Sequence, residues 1–125
     1  GLVIRSTGSW YEIFGDDQEV WKGRLRGKIK QLGMKTTNPL AVGDYVLYEW
    51  EDQDKKIALI HDWEERQNYI IRQSTHKTAH KHVLAANIDL AMIIVPITLP
   101  RTSLGFLDRF LVSAEPHEVP ALILF

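Results

Sequence analysis

Apolar and polar positions alternate along the first half of the chain in short runs broken by turn residues. Leu2 to Thr7 is followed by Gly8, and Trp10 to Phe14 by Gly15-Asp16-Asp17. Val20 to Ile29 is a longer run, Gly43-Asp44 opens Tyr45 to Glu51, and Asp52-Gln53-Asp54 precedes Lys56 to Trp63. β-branched and aromatic residues dominate the runs, and Gly, Asp and Asn fill the gaps, which is the pattern of strands joined by turns. Within the fourth run Val46, Tyr48 and Trp50 alternate with Tyr45, Leu47 and Glu49, so its two faces differ. Five short strands with no helical stretch predict a small barrel over residues 1–66, OB-like or SH3-like, because closure removes the sheet edges that an open sheet would leave.

The pattern changes at about residue 67. Gln67 to Val83 has no clear period and is polar and basic, which reads as a linker over 67–83. Leu84 to Pro96 is a nearly continuous apolar run interrupted by Asn87 and Asp89, the pattern of a strand buried on both faces in a parallel sheet. Thr102-Ser103 offers an N-cap, and Leu104, Leu107, Leu111 and Ala114, with Phe110, mark one helical face. Pro116 should end that helix, and Val119 to Phe125 reads as a second buried strand. Residues 84–125 therefore supply one β-α-β unit, which cannot cover its own sheet, so the second domain is expected to be incomplete.

Composition adds little until the charges are placed. The 125 residues are 45% hydrophobic and 25% charged with a net charge of −1, an ordinary composition for one domain and the start of another. The absence of cysteine excludes a disulfide framework and any Cys-based zinc site within this segment. No N-terminal run has the form of a signal peptide, and the most apolar stretch, Ala91 to Leu99, is too short to span a bilayer; a cytoplasmic protein with no membrane association is expected. The near-zero total hides segregation. Lys22, Arg24, Arg26, Lys28, Lys30 and Lys35 lie in a stretch with no acid, whereas Asp44 to Glu65 holds eight acids against Lys55 and Lys56. The first five of those cations fall at every second position, so a regular strand would project them all from one face, opposite Leu25 and Ile29. Such a stripe fits a polyanion, through phosphate neutralisation and counterion release. The competing reading is a solvated strand face balanced by acids on neighbouring strands. Trp10 and Tyr11 are candidate stacking platforms for unpaired bases, but at most one should face a ligand, because the two lie on opposite faces of their strand.

Other constellations fail. Gly23-Arg24-Leu25-Arg26-Gly27-Lys28-Ile29 has three residues between its glycines rather than four, and Ile where a phosphate loop needs Ser or Thr. His76, His80 and His82 lie in a segment with no helical signal and no interleaved carboxylate, which argues for a polar loop over a metal site. No spacing supports a nucleophilic triad or a carboxylate pair, so no catalytic, GTP-binding or metal-ligating residue is assigned within this chain.

Six short motifs occur in an order that resembles the N-terminal part of the bacterial small-subunit-dependent GTPases of the RsgA/YjeQ type. They are Thr7-Gly8-Ser9-Trp10-Tyr11, Arg24-Leu25-Arg26-Gly27-Lys28, Val42-Gly43-Asp44-Tyr45-Val46, Glu65-Arg66-Gln67-Asn68-Tyr69-Ile70-Ile71-Arg72, Ala85-Ala86-Asn87-Ile88-Asp89 and Leu107-Asp108-Arg109-Phe110-Leu111. The resemblance implies an all-β, OB-like five-stranded barrel followed by the first β-α-β unit of an α/β, circularly permuted P-loop GTPase domain, and then a zinc-binding domain. It implies GTP and Mg²⁺ as ligands, Zn²⁺ in the later domain, and a hydrolysis step governed by positioning and Mg²⁺ electrostatics. The guanine-recognition motif would follow Ala121–Phe125, because nucleotides bind at the carboxyl ends of parallel strands. The implied partner is the small ribosomal subunit and its rRNA, bound by a monomer late in subunit maturation. Trp10, Tyr11, Lys22, Arg24, Arg26, Lys28, Lys30, Lys35 and Arg72 are the RNA-contact candidates. Two alternatives stand beside this reading: a stand-alone OB-type RNA-binding module without enzymatic activity, and a barrel that binds protein or sugar.

Overall fold

The computed structural model describes residues 1–27, 39–72 and 82–125. The chain divides into two compact units, Gly1–Arg66 and Gln67–Phe125.

The first unit contains β1 (Leu2–Ser6), β2 (Tyr11–Phe14), β3 (Val20–Leu25), β4 (Val46–Asp52) and β5 (Ile57–Trp63), in the sheet order β1-β2-β3-β5-β4. All neighbours are antiparallel except β3 and β5, which run parallel. The sheet closes because β1 also meets the chain entering β4. Leu2 bridges Tyr45, and the Val3 and Val46 amides donate to Asp44 O and Gly1 O at 2.9 and 2.8 Å. This closed order is the OB-like barrel that the alternating runs implied. Its interior is filled by one residue in two: Val3, Tyr11, Ile13, Trp21, Leu25, Val46, Ala58 and Ile60 are buried together with Leu40. Gly23 completes this layer. A Cβ there would lie 2.4 Å from Ile13 Cδ1, so a side chain at that point would force Ile13 to shift. Gly23 is thus a packing glycine in a strand, consistent with rejecting a phosphate loop around it.

The second unit pairs β6 (Tyr69–Arg72) with β7 (His82–Ala86) antiparallel, and β8 (Ala91–Ile94) with β9 (Ala121–Leu124) parallel. Between the last two lies α1 (Leu104–Ala114), followed by a 3₁₀ turn over Glu115–His117 that contains Pro116. Ser103 caps α1 as its sequence suggested, its Oγ accepting from the Phe106 amide at 3.2 Å. Leu107 and Ala114 are buried and Phe110 packs beside them, whereas Leu104 and Leu111 stay exposed.

Three expectations change here. Tyr69–Arg72, read from its polar surroundings as linker, forms β6, with Ile70 buried against Ala91, Ala114 and Val119. Val83, read as the end of that linker, lies in β7; residues 73–81, with His76 and His80, lie outside the described residues. The single strand expected over Leu84–Pro96 is two strands. Asn87 adopts φ 51°, a left-handed conformation that asparagine tolerates better than most residues, and breaks the run. Within this chain, Met92 and Ile94 of β8 are 59% and 78% exposed, and β9 carries no buried residue. Among the described residues one helix packs on this pair of strands, and it covers one face.

Candidate nucleic-acid interface

Lys22 and Arg24 project outward from β3 and Arg26 follows just beyond it, while Leu25 turns inward, as the two-residue period requires. β3 ends at Leu25 rather than at Ile29. Lys28, Lys30 and Lys35 lie outside the described residues. The described part of the stripe faces carboxylates. Arg24 forms a two-pronged pair with Glu51, reaching Oε2 through Nε at 2.9 Å, and Arg26 Nη1 lies 3.8 Å from Glu49 Oε1. Both acids come from β4, which lies beyond β5, so these long side chains cross an intervening strand. The hydrogen bond from Arg24 holds the Glu51 carboxyl below its ordinary range and raises the Arg24 guanidinium. Lys22 stands in register with Glu12, which pairs with Arg5 at 3.3 Å. The outer barrel wall is therefore a lattice of alternating charge at these positions, the arrangement that competes with a bare cationic stripe. Such exposed pairs add little stability individually.

The two aromatic candidates separate. Trp10 is 42% exposed and sits at the end of a tight turn in which Gly8 has φ 79° and the Thr7 amide and hydroxyl both donate to Trp10 O. Tyr11 is 2% exposed, and burial raises its phenol above the ordinary range. Its assignment as a stacking platform is corrected: its ring is part of the barrel core. Arg72 is exposed at the end of β6, in register with His82.

Several of the six short motifs turn out to hold structure together. Asp44 is fully buried, and Arg66 grips it from 22 residues away, through Nε to Oδ1 at 2.7 Å and Nη2 to Oδ2 at 2.6 Å. The Ala41 amide also donates to Asp44 Oδ2 at 2.8 Å, and Arg66 Nη2 donates to Pro39 O at 3.0 Å. Val42-Gly43-Asp44 and Glu65-Arg66 are thus two halves of one clamp where the chain leaves the barrel. In the second unit Asn68 brackets Ile88, donating from Nδ2 to its carbonyl at 2.8 Å and accepting from its amide at 2.6 Å. Asn87 Oδ1 accepts from the Gln67 amide at 2.8 Å. Apart from the local Ala41–Asp44 bond, each pairing joins residues at least 20 positions apart, which no local spacing rule reveals.

Trp50 is an exposed aromatic that the strand alternation did not single out. Trp50 is 56% exposed and lies 5.9 Å from Trp21, ring centre to ring centre. It shares the parity of Val46 and Tyr48, and alternation alone did not say which face turns inward; its place beside the Asp52-Gln53-Asp54 turn was the available signal that it reaches the barrel rim.

Comparison with known proteins adds the following. Residues 1–58 match the RsgA N-terminal domain, and residues 63–125 match the RsgA GTPase family. Over its full length the chain is 47% identical to the small ribosomal subunit biogenesis GTPase RsgA of Cytophaga hutchinsonii, covering 41% of that protein. It is 44% identical to the protein of the same name from Bacteroides fragilis, covering 40% of it. The crystal structure of YloQ, a circularly permuted GTPase, matches with a TM-score of 0.60 at 26% identity, over 98% of this chain and 38% of that one. The chain spans about two-fifths of the length of the curated relatives it matches.

Proposed function

The chain belongs to the RsgA family of GTPases, and on that premise we propose that it is part of a GTP hydrolase of small-ribosomal-subunit biogenesis whose barrel docks on rRNA. The carrying observation is the order of the two family matches along one chain, a barrel over residues 1–58 and a GTPase segment over 63–125. That same GTPase match disfavours a stand-alone binding module. Among the described residues no three His, Cys, Asp or Glu side chains converge to hold a metal ion. Mg²⁺ and GTP, and Zn²⁺ by family resemblance, are expected of the full-length protein, and no catalytic step is derived from the described residues. Among the described residues no helix is long and apolar enough to cross a membrane; the cytoplasmic site of action is inferred from the ribosome-biogenesis role named for the relatives. The test is GTP turnover of the full-length protein with and without small subunits. Docking that biases the GTPase toward its active state raises turnover; equal rates overturn the proposal.

For the RNA contact we keep Trp10, Lys22 and Arg72, together with Lys28, Lys30 and Lys35. Arg24 and Arg26 contribute only by exchanging Glu51 and Glu49 for phosphates. This exchange has a measurable consequence. Glu49→Gln with Glu51→Gln should tighten binding to structured RNA and make the fall of log affinity with log salt steeper by up to about two units, since each phosphate neutralised contributes roughly 0.7–0.9. A salt slope unchanged by the double substitution would remove Arg24 and Arg26 from the interface.

A further inference from the structure

The barrel is chemically polar from end to end. β2 separates Trp10 at one end from the 15–19 turn at the other, where the 52–56 turn also lies, next to it across the β3–β5 pairing. Those two turns carry Asp16, Asp17, Glu19, Asp52 and Asp54 against Lys55 and Lys56. Both lysines are engaged, Lys56 by Glu19 and Lys55 by Asp52 at 3.7 Å. Asp16, Asp17 and Asp54 have no ion-pair partner among the described residues.

Aromatic rings converge on the same end. Trp21 donates its indole N–H to Asp17 at 3.1 Å, and Trp50 tilts against Trp21 with its own ring more than half exposed. Gly15 makes room for this packing: a Cβ there would lie 2.5 Å from both Asp17 Oδ1 and the Tyr48 hydroxyl. The Tyr48 phenol is raised first by burial and then by Asp17 and Asp16, which places both carboxylates within electrostatic reach of the cluster. An exposed indole held rigidly against a second ring presents a large π face at little entropic cost, the property that makes tryptophan an interaction anchor. Unpaired carboxylates around it repel phosphate and attract cations. A guanidinium satisfies both, since it stacks on an indole and pairs with carboxylate.

We propose that this end of the barrel docks an arginine-rich protein segment, with Trp50 as the stacking platform and Asp16, Asp17 and Asp54 as its charge complement. The site lies at the opposite end of β2 from the RNA contact assigned to Trp10, so either can fail without the other; Lys22, whose amide donates to Lys56 O at 2.8 Å, lies near the acidic end.

The test is fluorescence anisotropy of a labelled nona-arginine peptide titrated with the full-length protein, beside a nona-citrulline peptide and a labelled oligouridine. Nona-arginine should bind and nona-citrulline should not. Trp50→Leu should weaken nona-arginine binding by roughly three- to thirtyfold, the range of a cation–π contact, and leave oligouridine unchanged. Trp50→Phe, which keeps a π face and the Trp21 contact, should lose less, and Asp16→Asn with Asp54→Asn should flatten the salt dependence. Trp10→Leu should not affect the peptide. Nona-arginine affinity unaltered by Trp50→Leu in a variant with the parental thermal transition overturns the proposal. So does a loss confined to oligouridine, which would make this end an RNA surface. If Trp50→Leu fails to fold, Trp50→Phe together with the aspartate pair decides, and unchanged affinity in both overturns it.

Discussion

Asp44→Ala is expected to cost the barrel about 3–5 kcal/mol, the usual penalty for breaking a buried ion pair by removing one partner. Asp44 is fully buried with both carboxylate oxygens occupied, so its loss leaves the Arg66 guanidinium facing a cavity and strips the Ala41 amide of its acceptor. Arg66→Ala is the mirror experiment and leaves an uncompensated carboxylate in the interior. Arg66→Lys should be intermediate: an ammonium keeps the charge but cannot offer the parallel two-pronged geometry. Small domains are stable by only about 5–15 kcal/mol in total, so the alanine variants should lower the urea midpoint by roughly 1 M or more. A midpoint within error of the parent would show that the clamp contributes specificity of chain path rather than stability.

Ile13→Ala should cost about 2–5 kcal/mol, as expected for truncating a fully buried aliphatic side chain that the surroundings cannot replace. Its neighbour makes the more informative partner. Gly23→Ala alone places a methyl 2.4 Å from Ile13 Cδ1 and 3.0 Å from Ile60 Cδ1, an overpacking that costs about 1–3 kcal/mol. Combined with Ile13→Ala, the new methyl enters space that the isoleucine vacated. The double variant should then be more stable than the sum of the single losses implies, by a coupling on the order of 1 kcal/mol. Strict additivity in a double-mutant cycle would mean that the glycine is there for its backbone, and that the close approach to Ile13 is relieved at no cost.

The contrast between these sites and the sequence reading has a physical basis. Strand alternation predicted the five barrel strands, because a two-sided sheet writes its burial into every second residue; the inward Leu25 and outward Lys22 and Arg24 followed from that alone. The helix was legible for the same reason, at its own period, with Ser103 as its cap. β6 was not legible. β6 is four residues long like β2, but no glycines frame it as Gly8 and Gly15 frame β2, and polar neighbours hid it. The apolar run from Leu84 read as one strand because hydropathy does not record backbone direction, and a single asparagine at φ 51° redirects the chain. Lys22 and Arg24 do share the outer face of β3, yet the electrostatic meaning of Arg24 and Arg26 depended on Glu49 and Glu51 two strands away.

What the sequence determined by itself was therefore local or statistical: the barrel's alternating strands, the capped helix, and membership of a family recognised by motifs in a constant order. What only the tertiary structure decided were the pairings across long separations. Asp44 meets Arg66, Asn68 meets Ile88, and Arg24 meets Glu51, none within reach of a periodicity argument. The structure also divided Trp10 from Tyr11, and brought Trp50 to an acidic rim. Short-range sterics set the period of an element, so neighbours in sequence reveal it. Charge neutralisation, side-chain clamps and exposure depend on which strands closure brings side by side, and a linear pattern carries that only through the fold.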